Sequence, residues 1–459
     1  MTLSKLVGLV CLVGSSFATA SAAVHYVAGS SGNDANKCTE KAPCKTILRA
    51  SQVAKPGDTV RIAPGQYEER VVLRQGGTEG SPVKYEGHDG KGCPVEAIQD
   101  PNSRGERPKP QVSMGGWVLS ASHIELDCFE VANTKSPGVE ITAKQRGFKV
   151  RNFYVHDGPA AIVNMARVPV EQMARDLYFQ HNYITRTAYG FLVFCGDNCL
   201  FEDNEVERMI GTKPGSDNDY ARIFGEGITF RRNYFHGNSA ADCEKCHIDC
   251  FQTWNVRGGP FEVARRVTID GNVCFNAHQG IIANDTNGKE LASHVDWTVT
   301  NNIFSGGPDG SRMAWCSIFT HVGNVLFAHN LCGSGIVGYR KGADATHVNN
   351  IHYQNGLKPY VAETGATVRG ATNILFNAAR PYNRMGFPQD LLNVDPALMN
   401  PAQGDYRLRP GSPAMRKGSI TSVRQDRFGR PRPKGELPDV GPYQGSGGTL
   451  GEASRHAAP

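Results

Sequence analysis

The chain has 459 residues, a net charge of +5, 52 glycines and only 39% hydrophobic residues. That is enough for one large domain or several ordinary ones, and the glycine content suits a turn-rich β protein better than a helical one. No stretch approaches the roughly eighteen apolar residues of a membrane helix, and no dense Lys/Arg run marks a nucleic-acid surface.

In chain order, residues 1–23 read as a secretory signal: Lys5 supplies the positive start, residues 6–13 the short apolar core and Ala20-Ser21-Ala22 the small-residue cleavage site. A secreted monomer, extracellular or periplasmic, is therefore expected. Of the 13 cysteines, Cys11 falls in the apolar run, and the twelve left form an even set that favours disulfides in an exported protein. Cys38 with Cys44, and Cys195 with Cys199, are close enough in sequence to clip local loops; the other pairings stay open.

Residues 25–28 form a short strand. Apolar residues Ile47, Leu48, Ala50 and Val53 predict an amphipathic helix over 46–54, ended by Pro56-Gly57-Asp58. Strands follow over 58–62, 71–73 and 83–86, and residues 100–110 read as a loop. From about residue 122 a repeat takes over: an alternating apolar strand, an asparagine, another apolar pair and a glycine-rich turn. Its asparagines are Asn152, Asn182, Asn204, Asn233, Asn272, Asn302, Asn330 and Asn350, and it begins at 124–131 with Asp127 in the asparagine's place. The asparagines are spaced 20 to 39 residues apart, in the range of solenoids.

Each coil would bury its alternating side chains, and neighbouring coils would complete the core. Asparagine tolerates a left-handed backbone and can bond to the coils above and below as a ladder. Two residues beyond each asparagine lies a mostly apolar column containing Cys274 and Cys332. These are two coils apart, roughly 9–10 Å, so each needs another partner or stays a buried thiol. The fold class is all-β, a single-stranded right-handed parallel β-helix whose helix at 46–54 caps the open first coil. The expected divisions are 24–122 for the cap and first coils, 123–378 for the central coils, 379–444 for the closing strands and loops, and 445–459 for a disordered tail.

Tyr26-Val27-Ala28, Asn33-Asp34, Lys45-Thr46-Ile47, Pro56-Gly57-Asp58-Thr59-Val60 and Pro64-Gly65-Gln66-Tyr67 carry a resemblance at the amino end. Residues 408–414 (Leu-Arg-Pro-Gly-Ser-Pro-Ala), 429–433 and 439–443 carry it at the other. With the repeats between, nearly the whole mature chain resembles secreted right-handed parallel β-helix proteins of the pectate-lyase-like superfamily. The resemblance implies the fold and activity on a polysaccharide. It transfers no subfamily's catalytic signature, since this architecture hosts lyases, hydrolases, epimerases and adhesins.

The longest interval, from Asn233 to Asn272, holds residues 242–255, where three cysteines, three carboxylates, His247, Gln252 and Trp254 crowd together. Long loops on compact folds are often functional. Aligning the strands that follow each turn puts Phe194, Trp254, Asn284, His321 and Tyr339 in one outward column, with Gln252 beside it and Asp285 and Arg340 after it. A one-residue slip would exchange the faces. Aromatic faces with convergent polar groups suit a sugar chain, so Gln252, Trp254, Asn284, Asp285 and His321 are the expected substrate-binding residues. His247 and Asp249 form the expected acid–base pair, the carboxylate fixing the imidazole tautomer. The sequence alone settles no cofactor; calcium is a candidate at the loop of Asp217, Asn218 and Asp219, and Cys243-x-x-Cys246 with His247 and Cys250 offers a less favoured zinc site.

Three functions compete. A lyase cleaving an acidic, uronate-containing polysaccharide by β-elimination must neutralise the uronate carboxylate (Arg340, Arg231, Arg232, Lys245 or calcium), abstract a proton (His247 or a lysine) and protonate the leaving oxygen (Tyr339). An inverting hydrolase needs two carboxylates across a groove, here Asp249 and Asp285. A non-catalytic carbohydrate-binding β-helix needs only the aromatic column. The resemblance and the basic balance favour the lyase.

Overall fold

The structure, a computed structural model, describes residues 22–88, 93, 109–164, 167–211, 213–239, 241–242, 245–286, 293–306, 313–353, 358–377, 387 and 389–445. The signal core, most of the 100–110 loop, Cys243 and nearly all of the 445–459 tail lie outside them.

Alternation of buried and exposed residues along short strands dictates the architecture. Val24–Val27, Thr59–Ile62, Val83–Glu86, Ile124–Asp127 and Arg146–Arg151 pair in parallel, one above the next, and the column continues to Thr367–Ala371. The coils thus start at residue 24, well before the asparagine repeat. Two further columns complete each turn. A front column runs through Val139–Ile141, Ile162–Val163, Phe191–Glu202, Ala221–Arg231, Asp249–Asn255, Gln279–Asp285, Trp315–Thr320 and Ile336–Tyr339. A third column of short strands runs from Glu130–Ala132 to Leu391–Leu392. All these pairings are parallel, giving one continuous sheet wound around one apolar core, a parallel β-helix.

The predicted helix is present as Ile47–Val53, capped by the Thr46 side chain accepting from the Arg49 amide. Its first two free amides donate to the carboxylate of Glu69, and Ile47 and Ala50 are buried over the first coil. A carboxylate there also complements the positive end of the helix dipole.

Asparagine does build a ladder, with one offset. Asn182, Asn204, Asn233, Asn272, Asn302, Asn330, Asn350 and Asn373 are fully buried; each side-chain oxygen accepts from the coil before, and Asp390 ends the run. Asn152 is not a rung: Phe153 stands at that level, its amide donating to Asn182. The left-handed residue is also not the ladder asparagine but the one before it, such as Asn152 (φ 57°), Asp203 (54°), Arg232 (54°) and Asn349 (59°). The corner thus separates two demands: one residue takes the turn, the next satisfies buried backbone groups.

Five disulfides join pairs of described cysteines: Cys38–Cys44, Cys93–Cys128, Cys195–Cys199, Cys250–Cys274 and Cys316–Cys332. Cys274 and Cys332 each join a front strand rather than each other. Cys246 is disulfide-bonded as well, so neither its sulfur nor that of Cys250 is a thiolate able to bind zinc. Near the carboxyl end, Leu398, Tyr406, Leu408, Val440 and Tyr443 pack against Tyr234, Ile303, Leu331 and Ile351, covering the outer face of the third column. Arg432 anchors this segment, donating to the Asn301 side chain (2.7 Å) and the Gly441 carbonyl (3.0 Å). No helix among the described residues is long and apolar enough to cross a membrane.

Candidate active site

The front column carries the chemistry because three successive coils repeat in register. Asp217 bridges to His247, Tyr220 donates to the Asp249 carbonyl, and Arg222 pairs with Gln252. Side chains two residues apart on a strand share a face, so Asp217 and Asp219 on one coil meet His247 and Asp249 on the next. Gln279 then pairs with Asp249 from the coil after that.

The cluster is compact and mostly closed. Asp249 is fully buried, whereas the His247 side chain is 42% exposed. Nδ1 of His247 lies 3.4 Å from Asp217 Oδ1 and 3.5 Å from Asp249 Oδ1, and its Nε2 faces the Gln279 amide nitrogen. With that amide donating to Nε2, the imidazole proton sits on Nδ1 between the carboxylates. Arg222 donates to Asp217 (2.7 Å) and Asp219 (2.6 Å), and its guanidinium stacks over Tyr189 and Trp254. Gln252 donates to Asp249 (3.2 Å). Asp249 Oδ1 is buried without a hydrogen bond.

These contacts split the three carboxyls. Burial, with the charges of Asp219 and Asp217 adding to it, pushes Asp249 well above the usual carboxylate range. Burial also raises Asp219, with the Arg222 guanidinium pulling the other way. Asp217 is partly buried too, but the hydrogen bond from His247 and the charge of Arg222 outweigh that and hold it below its ordinary value. The cluster therefore combines an exposed carboxylate held below its ordinary range with a buried one pushed above it.

The donor set suits a divalent cation. Oxygens of Asp217 and Asp219 and a nitrogen of His247 lie within 4.8 Å of one another, and the unbonded Asp249 Oδ1 adjoins them. Carboxylate oxygens suit calcium, so the residues fit it, with Arg222 already neutralising part of the charge.

The other expected site residues scatter. Trp254 and Asn284 do share an outward level, and Trp254 is half-buried against Phe224. Phe194 faces outward but is closed over, stacked on Phe224 with Phe261 alongside. Beyond Asn284 the sequence alignment slips by one residue. Ser317 pairs with Ile281, so Thr320, not His321, stands opposite Asn284. The slip turns Tyr339 inward: it pairs with Phe319, is 0% exposed and shares a hydrogen bond between its hydroxyl and His347 Nδ1, so it cannot protonate a leaving group in the groove. His321 takes the corner, donating Nδ1–H to the Asp285 carbonyl at 2.7 Å. Arg340 does face outward, but level with Thr320, three coils and roughly 14 Å from Trp254 along the stack. Asp285 pairs with Asn255 at the far end of its strand, about 20 Å from Asp249, and is buried against Ser293. The Asp249–Asp285 pair expected of a hydrolase is therefore not formed.

Asp217 and Asp219 enter as central members rather than as a calcium loop alone, and Arg222 and Gln279 were missed. Their signal was the coil period: 217, 219 and 222 each recur thirty residues on as 247, 249 and 252.

Residues 25–190 match the sequence model of a family described as Pel9A-like, right handed beta helix region. A solved structure described as the complex of XylC with xylose aligns over 92% of this chain and 98% of its own, at 13% identity and a TM-score of 0.51. A GH136 lacto-N-biosidase from Eubacterium ramulus aligns over 81% of this chain and 68% of its own, at 15% identity and a TM-score of 0.43. Among curated proteins, the uncharacterized protein YwoF of Bacillus subtilis (strain 168) is 30% identical over 77 residues, spanning 17% of this chain and 16% of that protein. The amino-terminal part of the chain is thus similar to the Pel9A-like β-helix region, and the whole folds as a right-handed parallel β-helix.

Proposed function

We propose that this protein is a secreted lyase that cleaves an acidic, uronate-containing polysaccharide by β-elimination, with His247 as the base. One observation carries the reading: His247 and Asp217 reach the surface over the buried Asp219 and Asp249, and the imidazole Nδ1 lies between Asp217 and Asp249 so that Nε2 keeps the basic lone pair. On substrate binding the Gln279 amide yields Nε2 to the carbon acid, Asp217 stabilises the imidazolium that forms, and the imidazolium then gives its Nε2 proton to the departing glycosidic oxygen as the C–O bond breaks and the double bond forms. Trp254, under the Arg222 guanidinium that holds Asp217, adjoins this point to receive the sugar chain. Where the residues hold calcium, the ion supplies the positive charge that makes the proton next to the uronate carboxylate acidic. The disulfides fit an oxidising compartment and hence export.

A second reading, glycoside hydrolysis, is favoured by one feature: Asp249 and Asp217 are pushed in opposite directions from the ordinary carboxylate range, as suits an acid and a base. Incubating the purified protein with a panel of polyuronides separates the two. Elimination yields the ultraviolet absorbance of an unsaturated uronate. New reducing ends without that absorbance establish hydrolysis and sink the lyase reading; neither signal on any polyuronide sinks both.

A further inference from the structure

Trp315 is absorbed by none of the above, yet its position is specific. It stands on the outward level of Asp249 and Gln279, two coils further along the front column. Its indole is partly exposed and lies along the surface over the next coil, where a Cβ at Gly338 would come within 3.0 Å of Cζ3. The guanidinium of Arg340 sits 5.6 Å from the ring centroid and is otherwise tied only loosely, 3.5 Å, to the exposed Glu363. A flat aromatic face with an exposed, weakly paired guanidinium at its edge is a tray for a sugar that carries a carboxylate.

We infer that Trp315 and Arg340 form a subsite for a uronate ring two units away from the one at His247 and Asp249. The inference rests on the reading of the cluster as a polysaccharide-cleaving site and adds the direction of the chain. A pyranose unit is about as long as the spacing of strands, roughly 5 Å, so a chain running along the stack sets one ring over each coil. The ring over Trp315 packs its C–H face on the indole, and its carboxylate displaces Glu363 from Arg340. Exposed ion pairs of that kind contribute little, so the exchange favours the acidic sugar.

The test is calorimetric binding of hexamers, one uronate and one neutral, to the full chain carrying His247→Ala so that nothing is cut. The uronate hexamer binds the parent chain; Trp315→Ala weakens it by about tenfold, and Trp315→Phe restores most of the loss. Arg340→Gln weakens the uronate hexamer about fivefold and leaves the neutral one unchanged, whereas Glu363→Gln tightens the uronate hexamer about twofold. Unchanged affinity in Trp315→Ala, an equal loss for both hexamers in Arg340→Gln, or no binding by the parent chain overturns the subsite. Binding with this pattern but no cleavage by the His247-intact protein leaves the subsite standing and removes the lyase reading; cleavage with unchanged affinity in Trp315→Ala does the reverse.

Discussion

Two stacks run along this solenoid, and they are finished differently. In the asparagine ladder every buried amide has its partners: Asn233 donates to Phe201 and Asn272 and accepts twice from Asn204. In the front stack, equally buried groups are left wanting, with Asp249 Oδ1 and Gln252 Oε1 unbonded and carboxyls pressed together. A ladder of one residue type closes on itself and stabilises. A stack of unlike groups stays incomplete, at a cost in stability, and has something to offer a substrate.

Paired substitutions break that comparison most sharply. His247→Ala should lower turnover by at least about a hundredfold, the usual reach of a general base, with little change in melting temperature. Asn233→Ala should do the opposite, losing roughly 1–3 kcal/mol for each backbone and side-chain group left unpaired while the folded fraction keeps its specific activity. Chemical denaturation alongside a turnover assay reads both. Removing the Cys250–Cys274 link, which closes a separation of 24 residues and ties the site strand to the third column, should cost about 3 kcal/mol. Asp217→Asn should cost less, reducing activity a few-fold and moving the pH–rate profile, because it orients the imidazole without touching the reacting carbon.

Much of this was legible in advance, and the reasons differ by region. The ladder shows because one residue type recurs at a fixed place in each coil; even so, Asn152 misled, since the left-handed corner also welcomes asparagine. The front stack repeats positions rather than residues. Asp over His, Asp over Asp and Arg over Gln look unrelated until the thirty-residue period is applied. Tyr339 was misplaced because the alignment set Ser317 level with Gly280, whereas the strand starts two residues earlier and Ser317 pairs with Ile281; that one-residue slip exchanges the faces. Asp285 looked like a partner for Asp249 only because nothing in the sequence places it at the opposite end of its strand.

The protonation difference sharpens the comparison by its sign. A carboxyl raised on folding binds protons that the unfolded chain, titrating near pH 4, has already released. Stability from Asp249 and Asp219 is therefore present below that value and lost as pH rises through their folded values. Asp249→Asn should flatten this decline and raise the melting temperature at neutral pH, a modest gain that comes with lost activity; a variant with the parent's pH slope would mean Asp249 is ionised in the fold.

The account turns on what the front stack does to a bound chain, and the mass of the fragments reads that directly. With a defined uronate oligomer, the two products of elimination together weigh the same as the parent, and one bears a double bond. We expect that balance, dependent on His247. Fragments heavier in sum by one water would show hydrolysis and contradict the account.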